Sequence, residues 1–295
     1  MIYLVKNFYW IVILILLPLR TISQVNDNAE LKKMHDEDQN ARRVSKIDWT
    51  QLDSVDSLHR SRVYELINQG AILTRKDYYH SAMIFQHGKD SVAYGMAVKH
   101  MRKAIELDST ISKWLLAAAI DRELMSRNKP QIYGTQYVKR SLEGKWENWE
   151  MDTTKVTDEE RRYYQVPTLS EQKELLRNWN LPTVAEYHRK SANIDETVSL
   201  IKIEKTKGKK SAYNVSESSI NDFGYELMSS GKLADALKVF LANTELYPAG
   251  FNTWDSLGEC LLKLDRKEEG LAAYRKSVSL SPGNKNAVKV LAEHQ

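Results

Sequence analysis

Cysteine is almost missing from this chain: Cys260 stands alone among 295 residues. That excludes an intrachain disulfide and a thiolate metal cluster. No His-Glu-x-x-His or Cys-x-x-Cys spacing occurs, so no motif marks a metal site, and none is expected. Neither a phosphate-cradling glycine-rich loop nor a Gly-x-Ser-x-Gly elbow is present, so no cofactor is expected either. An excess of positive charge is also lacking. The 43 basic and 39 acidic residues give a formal charge of +4, and no nucleic-acid partner is expected. The longest apolar run, Phe8 to Leu17 followed by Pro18-Leu19, falls short of the roughly 20 residues a membrane-spanning helix needs.

That run has the proportions of a secretory signal instead. Lys6 precedes it, and the small residues Thr21 and Ser23 follow at the spacing a signal peptidase requires. Residues 1–23 therefore read as a signal peptide cleaved after Ser23, leaving Gln24 first, with an uncleaved membrane anchor as the alternative. No stable membrane span remains, and the protein is expected in the periplasm, the cell envelope or the medium. Without Lys6 and Arg20, 41 basic residues face 39 acidic ones.

What is present is helical periodicity. Apolar residues recur three and four apart from Tyr78 to Met125, including Ala82, Phe85, Ala93, Ala97, Met101, Ala104, Trp114, Leu115 and Ala118. Earlier helices are expected over Asn28–Val44 and leading into Tyr64–Gln69, stopped by Gly70. Beyond Pro130, Tyr133–Val138 and Trp146–Met151 around Gly144 read as a small β-hairpin. Trp146 and Trp149 are expected to face a core, a sugar-stacking surface being the alternative. Thr157 is the expected N-cap of a helix through Tyr164, and a helix starting at Ser170 is expected to lack a capping box. Residues 201–216, rich in lysine and serine, read as a linker. At its edge Ser199-x-x-Lys202, and within it Asn214-Val215-Ser216, read as chance matches to catalytic and glycosylation motifs.

The sharpest signal is a repeat. Ile220, Phe223, Gly224, Leu227, Leu237, Phe240, Leu246 and Pro248 recur 34 positions later as Trp254, Leu257, Gly258, Leu261, Leu271, Tyr274, Leu280 and Pro282. Val288 and Leu291 continue the register. Residues 217–295 thus resemble the tetratricopeptide (TPR) family. Asn243, Ser277 and Gly270 depart from its usual small alanines, and some loss of helix packing is expected there. Cys260 is expected inside a helix as a buried apolar residue. The resemblance implies a protein or peptide partner held by the first helices of the hairpins, where Asn221, Tyr225, Met228, Asn252, Asp255, Glu259 and Lys289 lie.

The front part, roughly residues 30–180, resembles an uncharacterised bacterial domain family. The resemblance rests on Asp38-Gln39 with Arg42, Phe85-Gln86-His87-Gly88, Trp114-Leu115 with Asp121-Arg122, and Gln131 before Tyr133-Gly134-Thr135-Gln136. It implies relatives without implying an activity. His80 and His87, seven apart on one helix, together with Asp121, Arg122 and Gln136, are the candidates for a catalytic site, in the alternative reading that the front domain is an enzyme such as a metal-dependent hydrolase. Asp121-Arg122 is otherwise an ion pair tying helices together, and Gln131 and Gln136 satisfy hairpin backbone groups.

The expected architecture is therefore mainly α: a helical front domain with a small β-hairpin over 24–200, the linker, and a TPR α-solenoid of about two and a half repeats over 217–295. The expected function is exported protein interaction or scaffolding.

Overall fold

The computed structural model describes residues 26–44 and 46–294, so the expected signal segment lies outside the described residues. Among them are fourteen α-helices and one two-stranded sheet, and no helix is long and apolar enough to cross a membrane. The chain divides into two compact units, Met1–Glu123 and Leu124–Gln295. This boundary differs from the one expected at residue 200: the hairpin and the helices after it group with the repeats.

The first unit is built from α1 (Ala29–Ala41), α2 (Trp49–Asn68), α3 (Arg75–Gln86), α4 (Ser91–Leu107) and the start of α5 (Trp114–Ser126). Side chains set the helix starts. Asn28 caps α1, Asp48 caps α2, and Thr74 with Asp77 forms a reciprocal capping box on α3. Gly70, at φ +65°, ends α2 as expected. Leu31, Val63, Leu66, Ile84, Phe85, Ala97 and Ala119 form the core; of these, the three-and-four spacing had marked Phe85 and Ala97.

The second unit opens with the hairpin of β1 (Tyr137–Lys139) and β2 (Trp146–Asn148), antiparallel with Val138 opposite Glu147. Gln131 supports it, as expected: its amide nitrogen donates to the Gln136 and Trp149 carbonyls, and its oxygen accepts from the Gln136 backbone. Short helices α6 (Asp158–Tyr163) and α7 (Leu169–Trp179) follow. Thr157 caps α6, but α7 starts one residue before the expected Ser170 and does possess a capping box, from Thr168 and Glu171. The fully buried Arg161 binds the carbonyls of Val156 and Ile132 and so pins this region.

The remainder is helical hairpins: α8 (Val184–Ser191), α9 (Ile194–Thr206), α10 (Glu217–Ser229), α11 (Leu233–Leu246), α12 (Phe251–Lys263), α13 (Lys267–Leu280) and α14 (Lys285–Glu293). The expected linker is a correction. Residues 201–206 are the end of α9, with Ile201 fully buried, and a short 3-10 turn at Gly208–Lys210 follows. Glu204, also buried, accepts from Lys207, Ser211 and the Ala212 backbone and so fixes the chain beyond α9. One core runs from Val184, Ala185 and Ile201 into Ile220, Phe223, Phe240, Leu257, Cys260 and Ala273. The hairpin α8–α9 therefore extends the repeat stack by one unit toward the N-terminus.

Close approach at Gly224 shows why the repeat keeps glycine there. A Cβ on Gly224 would lie 2.5 Å from the Phe240 ring, closer than real side chains come. Asn243 and Ser277, expected to weaken packing, instead make hydrogen bonds. Asn243 Nδ2 donates to the Glu217 carbonyl, and Ser277 Oγ accepts from Asn284 Nδ2.

Candidate functional site

In the first unit, residues that carry the front-domain resemblance converge on one buried network. Arg42 donates from Nη1 to Asp38 Oδ1 at 2.7 Å and from Nη2 to Asp56 Oδ2 at 2.6 Å. The same Asp38 oxygen lies 2.8 Å from His87 Nδ1, and Gln39 Nε2 donates to the other oxygen. Asp38 is 2% exposed and Asp56 5%. Burial pushes the Asp38 carboxyl upward, but the hydrogen bond and charge of His87, with Arg42 beside it, hold it below its ordinary value. Arg60 donates to the His87 carbonyl, and Arg122 donates to the Gln86 carbonyl at 2.8 Å. Arg122 thus ties α5 to the end of α3. Burial depresses its pKa.

The five front candidates do not form one constellation. His87 joins Asp38, whereas His80 stacks on His35 with ring centroids 4.4 Å apart. Seven-residue spacing put both histidines over α1, but each meets a different partner there. Burial, with His35 beside it, drives His80 down to about 4, so it is neutral at pH 7. Asp121 is fully buried and engaged in polar interactions. Gln136 belongs to the second unit, in the segment leading into β1. Among the described residues, no group of three or more His, Cys, Asp or Glu is placed to hold a metal ion. An Asp–His pair is the geometry of an oriented base. Here, though, Asp38 also serves Arg42 and Gln39, and the His87 side chain is only 16% exposed. The arrangement locks α1, α2 and α3 together.

The expected groove residues are largely used within the fold. Tyr225 donates its hydroxyl proton to Glu259 at 3.0 Å. Asp255 is buried and accepts from Asn284 and Asn286, which seat α14. Asn221 and Met228 are buried, and Asn221 Oδ1 has no hydrogen-bond partner among the described residues. Asn252 and Lys289 are exposed. The tripeptide at Asn214 is structural as well: its buried side chain accepts from the Ser216 backbone and hydroxyl.

The open surface of the second unit lies elsewhere. A cleft of about 600 Å³ runs between α8 and α10 and under the hairpin. Thr183, Ala185 and Arg189 line one side, Ser218, Asp222 and Glu226 another, with Phe223 between them. Tyr137, Trp146 and Trp179 complete it. Trp179 meets Tyr137 edge-on at 4.9 Å and Trp146 at 5.9 Å. Asn180, the C-cap of α7, fixes this cluster: its side chain accepts from the Trp146 backbone N–H at 2.7 Å and donates to the Trp146 carbonyl at 2.9 Å. Trp146 and Trp179 remain 40% and 43% exposed, which corrects the expectation of a core-facing Trp146; Trp149 is likewise part-exposed, beneath Arg140. Arg189 pairs with Glu226 at 3.2 Å. Asp222 has no ion pair among the described residues, and burial pushes its carboxyl upward.

Comparison with known proteins bears on the repeats. A family model for the tetratricopeptide repeat matches residues 251–284. No curated protein matches. Among solved structures, the chain is similar to YrrB, described as a TPR protein with an unusual peptide-binding site. The identity is 14% and the TM-score 0.27, over 79% of this chain and 98% of that one. It is also similar to the TPR2AB domain of yeast Sti1 in complex with an Hsp90 peptide, again at 14% and 0.27, over 90% and 83%. At that TM-score neither likeness bears on what this chain binds. The tail carries tetratricopeptide repeats, as its 34-residue period implies.

Proposed function

We propose that this is an exported protein-interaction protein whose repeat-bearing unit receives a peptide segment of a partner in the cleft between α8 and α10. One observation carries the reading: three aromatic side chains, two of them tryptophans about 40% exposed, stand around an open cleft instead of in a core. Half-exposed tryptophan and tyrosine beside a concavity are the side chains that contribute most at interfaces, because they offer large apolar area with little entropy to lose. The edge of the cleft adds direction. Asp222 lacks a countercharge, so the fitting segment presents an apolar or aromatic residue next to a lysine or arginine.

The reading moves the contact away from the groove residues expected from the repeat. Asn252 and Lys289 remain available beyond the cleft, but Tyr225, Asp255 and Glu259 already hold intramolecular partners. The test uses fluorescein-labelled decapeptides with a central Lys-Phe or Arg-Trp pair and matched Glu-Phe controls, followed by polarisation. The basic peptides should bind, and Trp179→Ala should weaken binding by about 2 kcal/mol, roughly thirtyfold. Asp222→Asn should erase the preference over the acidic controls. Affinity of the Trp179→Ala protein unchanged from that of the native protein for every peptide would remove the cleft from the interface.

A further inference from the structure

A second cavity lies wholly within the first unit and is unrelated to the network around Asp38. It measures about 830 Å³, within the range of small-ligand pockets. Ile67, Ile72, Tyr78 and Val98 give it apolar walls. One stripe of α4 forms its rim: Gly95, Lys99, Arg102 and Glu106 follow each other three and four residues apart.

Three features of this cavity point to a ligand. The rim carries three cations, Lys99, Arg102 and Lys103, against two carboxylates, Glu106 and Glu123. Lys103 pairs with Glu106, but Lys99 and Arg102 form no ion pair among the described residues. Neighbouring unpaired cations at the mouth of an apolar cleft favour an anion. Next, Gly95 sits inside a helix, where glycine costs about 1 kcal/mol relative to alanine. No packing requires it, for a Cβ there would meet only the Glu123 carboxylate, at 3.6 Å. What the missing side chain does is leave the cleft open. Finally, the floor holds His100, 4% exposed, whose Nδ1 is 2.6 Å from Ser81 Oγ. Burial, reinforced by Lys99, drives His100 down to about 4, so the floor is uncharged at pH 7.

We infer that this cleft binds a single-chain anionic amphiphile, its hydrocarbon tail along Ile67, Ile72, Tyr78 and Val98 and its head group between Lys99 and Arg102. A peptide suits the cleft less well. Apart from the short connection carrying Ile72, the walls come from helices whose backbone groups are already paired, so an extended peptide would bury N–H and C=O groups without partners. A hydrocarbon chain carries none.

The experiment is isothermal titration of the protein from Gln24 onward with dodecanoate below its micelle concentration, beside neutral dodecanol. One dodecanoate should bind per chain, more tightly than dodecanol. The surface double variant Lys99→Gln/Arg102→Gln should lose about tenfold in affinity for dodecanoate and little for dodecanol. Gly95→Leu, whose Cβ would meet only the Glu123 carboxylate at 3.6 Å, should stay folded by circular dichroism and lose binding. No dodecanoate bound, or unchanged binding in both variants, would overturn the inference. So would an acidic peptide that binds where dodecanoate does not.

Discussion

Replacing Arg42 by methionine removes the one charged group that bridges Asp38 and Asp56 while keeping most of the side-chain volume. Both carboxylates are nearly inaccessible, and the Arg42 side chain itself is only 21% exposed. This is therefore not a surface pair worth a few tenths of a kcal/mol. Breaking a buried pair by removing one partner strands the other charge, and typically costs about 3–5 kcal/mol. Asp56 suffers most. Among the described residues, one of its oxygens has no hydrogen-bond partner and the other has only Arg42, whereas Asp38 keeps His87 and Gln39. The loss should depend on pH with a definite sign. In the native protein the Asp38 carboxyl lies below its ordinary value, so its contribution is present above the unfolded value, about 3.9, and fades as pH falls through the folded one. Arg42 is one of the groups that hold Asp38 down, so the variant forfeits part of that contribution at pH 7 and less of it as the carboxyl takes up its proton. The gap between variant and native protein should therefore narrow from pH 7 toward pH 3. Hydrogen exchange read on peptides from α1 and α3 isolates this unit from the other. Protection there should fall by two to three and a half powers of ten at pH 7. Adding Asp56→Asn should restore part of it. A change under tenfold, equal at both pH values, would refute the view that this network is buried and charged.

Gly224→Ala should destabilise the second unit by about 1–3 kcal/mol in urea unfolding, since its Cβ would fall 2.5 Å from the fully buried Phe240 ring. Phe240→Leu in the same protein should reduce that increment. Independent, additive effects would show that the two residues are not in contact. His80 and His100, both driven to about 4 mainly by burial, should keep neutral-imidazole proton shifts in NMR from pH 7.5 down to pH 5. Because their folded values lie below the ordinary 6.5, stability should decline as pH falls from about 6.5 toward 4. Midpoints near 6.5 for both would mean that the rings are solvated.

The repeats were legible because a hairpin that recurs every 34 residues leaves the same packing demand at the same position, as Gly224 against Phe240 illustrates. The preceding hairpin was not. Val184 to Glu217 is 33 positions and Ile194 to Leu233 is 39, because α8 is short and a long connection follows α9. Unequal spacings cancel in space but not in a self-comparison. Polarity misled in the same stretch: five lysines around Gly208 suggest a solvated linker, yet Lys202 pairs with Glu245, Lys205 lies over the Tyr247 ring and Lys207 meets the buried Glu204. Lysine stems cover apolar surface while their charges reach water, so composition alone does not separate a linker from a helix face. Asp38, Arg42 and His87 were visible as motif residues, but their convergence was not. Asp38 lies in α1 and His87 caps α3, and only the packing of those helices joins them.

The aromatic cleft follows from how the repeat stack begins. A hairpin within the array is covered on both sides by its neighbours, but the first one needs some other cover. Here α8 has 8 residues against 13 in α10, so it spans about 12 Å against about 20 Å and offers a small apolar face. The hairpin and α7 supply aromatic surface beside it, fixed through Asn180 on Trp146. A cap that served stability alone would bury Trp146 and Trp179 on α8 and α10. Instead both stay part-exposed, with the polar Ser218, Ser219 and Asp222 facing the space between. Burying a tryptophan fully is worth roughly 25 cal/mol for each Å² withdrawn from water, and two such side chains leave that gain unrealised. A partner's side chain entering the cleft would realise it. At the start of the stack, then, a partner's side chain would add buried aromatic area that the fold itself leaves open.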